Sequence, residues 1–216
     1  MEFYYHPVSS YSQKALIALH EIGASYTPVL ISLLKPDVAE QYRRLYPLGK
    51  VPLLVLDDGT QIPESTIIIE YLNTSAGVSP LIPQSAERAR QVRYFDRVCD
   101  LYLNDTMATI LFDGWKPADQ REPARVATAR RTLSIVCPQL DRELETHPWL
   151  AGDTFSMADC AAAPALNYLA TLPGFALNEW PHLAAYVERL RARPSFQRVL
   201  EEAAPHWQNL VSARAG

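Results

Sequence analysis

The chain has 216 residues, of which 48% are hydrophobic, and its formal net charge is −4. This length suffices for one large domain or two small ones with an adequate core. The acidic balance supplies no field that would attract nucleic acid or an anionic membrane, and no apolar run approaches the roughly 20 residues of a membrane span. We therefore expect a soluble cytoplasmic protein, without a targeting segment, whose partners are small molecules or other proteins.

Residues 1–75 alternate short apolar strands with helical patterns. Gly23 suits a helix end, because glycine adopts positive φ readily, and the Asp58-Gly59 pair suits the tight turn of a hairpin. The order of elements indicates a small mixed sheet with helices packed on it. In chain order, the pattern predicts a strand at 2–5, a helix at 10–22, a strand at 26–31, a short helix at 36–46, a hairpin at 53–62 and a helix at 65–72.

The chain from residue 86 onward shows helical periodicity almost throughout. Ser156 is followed three residues later by Asp159, the spacing of a capping box with Asp in place of the usual Glu, which indicates a helix start. We predict an α/β domain at 1–76, a linker at 77–85 and an all-helical domain at 86–216. Further helices are predicted at 85–112, 123–145, 181–192 and 195–203.

Hydroxyl side chains are concentrated where the first strand gives way to the first helix. Hydroxyl groups at such a turn can donate hydrogen bonds to a bound anionic group, and the helix N-terminus adds partial positive charge. The alternative is that Ser9 or Ser10 only caps the helix. The side chains concerned are Tyr4, Tyr5, Ser9, Ser10 and Tyr11.

Four stretches, in this order along the chain, resemble glutathione transferases. They are HPVSSYSQKALIAL at 6–19, YPLGKVPLL at 46–54, PESTIIIEYL at 63–72 and FSMADCAAAP at 155–164. The resemblance implies a thioredoxin-like N-terminal domain, an all-helical C-terminal domain and a homodimer that uses glutathione as co-substrate. It also implies that Asp159 serves the folding of the helical domain.

The resemblance favours Ser9 as the catalytic hydroxyl and leaves alternatives. The spacing SSYSQKALIAL is similar to the serine-type classes (theta, delta and zeta), which assigns the contact with sulfur to Ser9. The stretch Tyr5-His6-Pro7-Val8 is similar to the tyrosine-type classes, which would assign it to Tyr5. Ser10 and Tyr11 stay as alternatives, and Tyr11 is also a candidate for substrate binding. A cysteine-type member would carry Cys in this turn, and this chain carries none.

The resemblance also implies where the glutathione peptide binds. Val51-Pro52 corresponds to the family's cis-proline turn, whose backbone pairs with the cysteinyl part like an added strand. Ser65 would hold the γ-glutamyl carboxylate at a helix N-terminus and Glu64 its ammonium, although both could simply complete that helix start. Lys35 and Lys50 are candidates for the glycyl carboxylate, or ordinary surface lysines.

A second pocket, for a small hydrophobic electrophile, is expected between the two domains. Aromatic residues at helical spacing are more often core, and this alternative stays open for the candidates. The histidines are not spaced as metal ligands, so we expect no metal, and the three cysteines are expected to be buried reduced thiols. The pocket candidates are Tyr102, Thr106 and Trp115, with Thr109, Ile110, Phe112 and Trp207 as further members.

The sequence thus predicts an enzyme that conjugates the glutathione thiolate to hydrophobic electrophiles, as in detoxification. A zeta-like isomerase is an alternative, although Tyr11 stands where that class has Cys. Ether-cleaving and dehalogenating members are further alternatives. A binding or regulatory protein that kept the fold and lost the chemistry is another, but the presence of Glu64, Ser65 and Pro52 favours the enzyme.

Overall fold

The computed structural model of the chain describes residues 1–32, 35–75 and 81–215. Contacts divide the chain into two compact units, residues 1–80 with 194–216 and residues 81–193. The first unit holds a small mixed sheet with helices and the second is helical, as predicted for the fold class. The predicted linker at 77–85 lies partly outside the described residues.

The sheet of the first unit has four strands in the order β2-β1-β3-β4. They are β1 (Glu2–Tyr5), β2 (Thr27–Leu30), β3 (Leu53–Val55) and β4 (Gln61–Pro63). β1 runs parallel to β2, and β3 runs antiparallel to both β1 and β4. The C-terminal ends of β1, β2 and β4 and the N-terminal end of β3 therefore meet at one edge of the sheet.

Helices cover both faces of this sheet, because successive side chains of each strand point to opposite faces and apolar side chains lie on both. On one face, Tyr4 stacks on Tyr42 of α2 (Pro36–Leu45). Tyr42 forms a buried hydrophobic cluster with Ile31 and Leu53. Phe3 and Tyr5 are buried on the opposite face. The other two helices, α1 (Ser10–Ile22) and α3 (Ser65–Ser75), pack against each other, and α1 ends at Gly23 with φ of 71°. Gly23 thereby forms the predicted left-handed C-cap.

The C-terminal helix, which we name α9 (Pro194–Ala215), packs against α1 in the first unit. Its length and grouping differ from the prediction, which ended a helix at 203 and included it in a domain at 86–216. The sequence suggests an end there because Pro205 removes a backbone donor and clashes with the preceding turn. The helix nevertheless continues, because side chains on both sides of Pro205 contact the end of β1: Glu202 on Tyr5 and His206 on His6.

The second unit contains five α-helices among its described residues. The predicted helix at 85–112 corresponds to α4 (Ala86–Val98) and α5 (Asp105–Gly114), joined by a π-helical segment at Cys99–Asn104 that periodicity alone does not reveal. The π-helical segment packs against α7 (Met157–Leu169), whose run of small residues permits close approach. The others are α6 (Pro123–Thr146) and α8 (Pro181–Arg191), close to their predicted bounds.

The start of α7 is organised around a fully buried carboxylate. Asp159 accepts hydrogen bonds from the backbone N–H of Ser156 at 2.8 Å and of Leu150 at 3.0 Å, and from the Tyr186 hydroxyl at 2.6 Å. Burial raises the pKa of the Asp159 carboxyl, and these donors oppose the rise. Ser156 is the N-cap, so the predicted helix start is confirmed, and Asp159 links α7 to α8.

Two further observations bear on the expectations from composition. All three cysteines are buried free thiols, as predicted, and burial raises the pKa of Cys137 to about 12. Within the described part of the chain, none of the helices is both long and apolar enough to cross a membrane.

Candidate active site

The sheet topology brings three predicted site segments to one edge of the first unit. β1 ends at Tyr5 and leads into the turn that contains Ser9, while Val51-Pro52 immediately precedes β3. Leu53 pairs with Tyr4 on one side and with Pro63 on the other, and Glu64-Ser65 follow Pro63. Strand register therefore places these segments side by side although 56 positions separate Ser9 from Ser65.

Ser9 is the N-cap of α1 and lies half-buried at this edge. Its Oγ accepts a hydrogen bond from the backbone N–H of Ser12 at 3.3 Å, and its own N–H donates to the carbonyl of His6 at 2.9 Å. A hydroxyl has one proton and two acceptor positions. The cap therefore uses an acceptor position and leaves the proton able to donate to a bound sulfur, so capping and catalysis are compatible in one residue.

Tyr5 has a different environment, since it is only 3% exposed and its hydroxyl hydrogen-bonds to the Glu202 carboxylate of α9. Burial, followed by this hydrogen bond, raises the pKa of Tyr5 well above its usual value. The proton is thus held on the phenol oxygen and directed at a carboxylate. This arrangement favours Ser9 over Tyr5 as the donor to sulfur.

The other members of the turn hold its shape. Ser10 and Tyr11 are the first residues of α1 and are half-buried. Gln13 donates from Nε2 to the carbonyl of Pro7 at 2.8 Å, and Ser12 Oγ accepts from the His6 N–H at 3.4 Å. Gln13 and Ser12 were missed as contributors to the site, since in sequence they are only polar residues on a helix.

The segment before β3 has the cis Val51-Pro52 bond that the resemblance implies. Gly49 adopts φ of 60°, where a Cβ atom would lie 3.0 Å from Cγ of Arg43. The carbonyl of Lys50 accepts a hydrogen bond from the Tyr42 hydroxyl at 2.7 Å. Side chains of α2 thus contact the loop at residues 49–50 and fix its conformation. The Lys50 side chain is exposed, and so is that of Lys35, the N-cap of α2.

The start of α3 carries an unusual backbone conformation. Glu64 has φ of 70°, a left-handed value that costs a residue other than glycine about 1–3 kcal/mol and persists only where the surroundings impose it. Its side chain is exposed, whereas Ser65, the first residue of α3, is buried. A helix N-terminus carries partial positive charge and directs N–H groups outward, so this position suits an anion. Burial and the nearby Glu64 carboxylate raise the pKa of Tyr46.

A buried lysine lies behind this helix start. Lys14 of α1 is 1% exposed, and its Nζ donates to Oγ1 of Thr66 in α3 at 2.8 Å. Sequence reasoning missed the pair, because a lysine that precedes an apolar stripe is ordinarily solvated. The feature of the sequence that could have indicated Lys14 is its position one helical turn after Ser10, on the same face of α1.

The predicted pocket residues of the second unit differ in exposure. Tyr102 is 51% exposed, Thr106 is buried and Trp115 is half-buried, with its ring against Phe112 at 5.1 Å between centroids. Tyr102 and Trp115 therefore present aromatic surface, whereas Thr106 belongs to the core of the unit. The pocket itself stays a prediction.

Profiles of two families match the chain and together span most of it. The glutathione S-transferase N-terminal domain matches residues 3–80, and the glutathione S-transferase C-terminal domain matches residues 103–194. The chain belongs to the glutathione S-transferase family. The predicted family, transferase class and thioredoxin-like fold are thereby confirmed, whereas the serine-type class stays a prediction.

Individual relatives agree with this assignment. The chain is 28% identical to glutathione S-transferase GstA of Escherichia coli O157:H7, with 93% of this chain and 97% of that protein covered. A glutathione S-transferase from Methylobacillus flagellatus, solved with GSH bound, has a TM-score of 0.84 at 26% identity and covers 92% of this chain and 98% of its own. One from Methylobacterium radiotolerans, in complex with glutathione sulfonate, has a TM-score of 0.81 at 28% identity and covers 92% of this chain and 93% of its own.

Proposed function

We propose that this protein is a glutathione transferase that binds glutathione at the sheet edge of its first unit and adds the thiolate to a small hydrophobic electrophile. The observation that carries the proposal is the Ser9 hydroxyl, which caps α1 through an acceptor position and keeps its proton for sulfur. The solved relatives that hold GSH or glutathione sulfonate support the choice of ligand.

The chemistry required of Ser9 is modest in energy. The thiol of glutathione should ionise near the free cysteine value of about 8.5, so only a few per cent is thiolate at neutral pH. A hydrogen bond to the charged form is worth about 1.5–3 kcal/mol, which equals about one or two pKa units. The partial positive charge at the N-terminus of α1 acts in the same direction. Together they bring roughly half of the bound thiol into its reactive form.

The remaining contacts follow from the charges of the tripeptide. The backbone of Val51 pairs with the cysteinyl part, as an added strand would, beside Pro52. The γ-glutamyl carboxylate accepts from the first-turn N–H groups of α3 at Ser65, and Glu64 receives the ammonium. Lys35 or Lys50, both exposed at loops that flank α2, binds the glycyl carboxylate.

Glutathione binding and thiol ionisation provide the primary test. Ultraviolet absorbance of the thiolate, titrated with pH in the complex, should give a pKa about one or two units below that of free glutathione. Ser9→Ala should return it towards the free value and lower the conjugation rate with an aryl halide about tenfold or more. Tyr5→Phe is the matched control, since its hydroxyl is bound to Glu202, and it should change the rate far less.

The same measurements separate the alternatives. A stronger effect of Tyr5→Phe than of Ser9→Ala would overturn the choice of Ser9. A protein that gains thermal stability with glutathione but forms no thioether with any electrophile would be a binding protein. The enzyme would be excluded by that result, whereas absence of glutathione binding would exclude both.

We also propose that the protein acts as a cytoplasmic homodimer. The protein's resemblance to glutathione transferases carries this proposal, and its exposed apolar side chains, such as those of Leu48 and Ile135, would be available to an interface. Its three free cysteines suit a reducing compartment. Light scattering during gel filtration should give twice the 24.3 kDa of one chain, and a single-chain mass at every concentration would contradict the dimer.

A further inference from the structure

Lys14 is a buried cation of the first unit that the proposed chemistry does not use. Its side chain is 1% exposed, and its Nζ donates to Oγ1 of Thr66 at 2.8 Å. Lysine is rarely fully buried unless it is paired, because the ammonium loses its hydration. A neutral side chain would occupy this position without the free-energy cost of desolvating an ammonium group. We therefore expect the ammonium of Lys14 to serve a function.

The pair connects two helix starts. Lys14 lies one turn after Ser10 on the same face of α1, and Thr66 is the second residue of α3, next to Ser65. Glu64, which directly precedes Ser65 and Thr66, has the left-handed φ of 70° that its surroundings must impose. The Lys14–Thr66 hydrogen bond therefore ties α1 to the segment where the backbone is strained.

We propose that Lys14 and Thr66 are positioning residues for the γ-glutamyl subsite, an inference that rests on the proposed function. The ammonium fixes Thr66, and Thr66 fixes the N–H groups at the start of α3 and the Glu64 carboxylate beside them. Both γ-glutamyl charges are then met by groups already in place, so less ordering is needed on binding.

A ligand that lacks the γ-glutamyl group tests this role. Calorimetry compares the Kd of glutathione with that of cysteinylglycine for the wild type, Lys14→Met, Lys14→Arg and Thr66→Val. We expect Lys14→Met and Thr66→Val to reduce the preference for glutathione about tenfold, with the Kd of cysteinylglycine within about twofold of its wild-type value. Lys14→Arg should restore part of the preference. Thr74→Val, on the exposed face of α3, is the matched control and should leave it unchanged.

The outcomes discriminate between a positioning role and a structural one. An unchanged preference in Lys14→Met and Thr66→Val, or an equal weakening of both ligands, would overturn the positioning role. If Lys14→Met does not fold, Thr66→Val and Lys14→Arg decide, since they keep the charge. A wild-type protein that binds no glutathione would instead refute the proposed function, so the two failures are distinguishable.

Discussion

Replacement of Asp159 should destabilise the second unit more than replacement of an exposed aspartate. The carboxylate is fully buried and accepts from Leu150 N–H, Ser156 N–H and the Tyr186 hydroxyl at 2.6–3.0 Å. The Ser156 hydroxyl also donates to it at 2.9 Å, so Asp159→Ala leaves four donors without their acceptor. A buried donor left unsatisfied costs about 1–3 kcal/mol, so the four sum to about 4–12 kcal/mol. This is a large part of the 5–15 kcal/mol that stabilises a typical domain.

Two milder variants grade the effect. Tyr186→Phe removes one donor and leaves Asp159 with its backbone donors, so it should cost about 1.5–3 kcal/mol, the value of a hydrogen bond to a charged group. Asp159→Asn keeps the shape but turns an amide N–H towards donors, which should place its cost between those of the other two variants. Asp119→Asn, an exposed aspartate in the same unit, should stay within about 0.5 kcal/mol of the wild type.

Urea unfolding followed by circular dichroism measures these differences. The ring of Trp149 lies 6.1 Å from that of Tyr186 between centroids, so its fluorescence reports on the same region. The expected order of destabilisation is Asp159→Ala, Asp159→Asn, Tyr186→Phe, Asp119→Asn. If Asp159→Asn were no more destabilising than Asp119→Asn, the reasoning from buried unsatisfied donors would be refuted.

Three further predictions concern the first unit. Gly49→Ala should lower the free energy of unfolding by about 1–2 kcal/mol, because its φ of 60° disfavours a Cβ that would also touch Arg43; no loss in urea unfolding would contradict this. Glu202→Leu should cost about 1–3 kcal/mol by leaving the Tyr5 hydroxyl without its acceptor, and adding Tyr5→Phe should recover part of the loss. Burial, followed by the nearby His206 imidazole, lowers the pKa of His6, so the unfolded chain binds a proton on this residue more readily than the folded chain does. The free energy of unfolding should therefore be highest above about pH 6.5 and decrease as the pH falls below that value. The decrease should be less steep in His6→Gln. An equal slope in that variant would count against His6.

Much of the fold could be predicted because its signals are local. The ends of α1 and α7 follow from Gly23 and from the Ser156–Asp159 spacing, which act within a few residues. The end of α9 could not, since Pro205 is a local stop signal that contacts with a distant strand override. The π-helical segment at 99–104 has no periodic signature either.

The candidate site divides in the same way. Ser9, Pro52 and Ser65 belong to contiguous motifs, so a single stretch of sequence indicates each of them. Lys14 and Glu202 do not, because their partners are 52 and 197 positions away and are found only through packing. A lysine or a glutamate on a helix reads as a solvated side chain until a second element covers it.

The identity of the donor to sulfur depends on one of these distant contacts. The turn offers both a tyrosine and a serine, and its resemblance to the serine-type classes favours Ser9 while keeping Tyr5 as an alternative. Because side chains alternate along a strand, Tyr5 lies on the same face of the sheet as Phe3. On that face, α9 supplies Glu202 as a hydrogen-bond acceptor. To serve sulfur, the Tyr5 hydroxyl would have to give up a hydrogen bond to a charged group, worth about 1.5–3 kcal/mol, or one to two powers of ten in rate. Ser9 gives up nothing comparable, because its cap uses an acceptor position and its proton is not needed there.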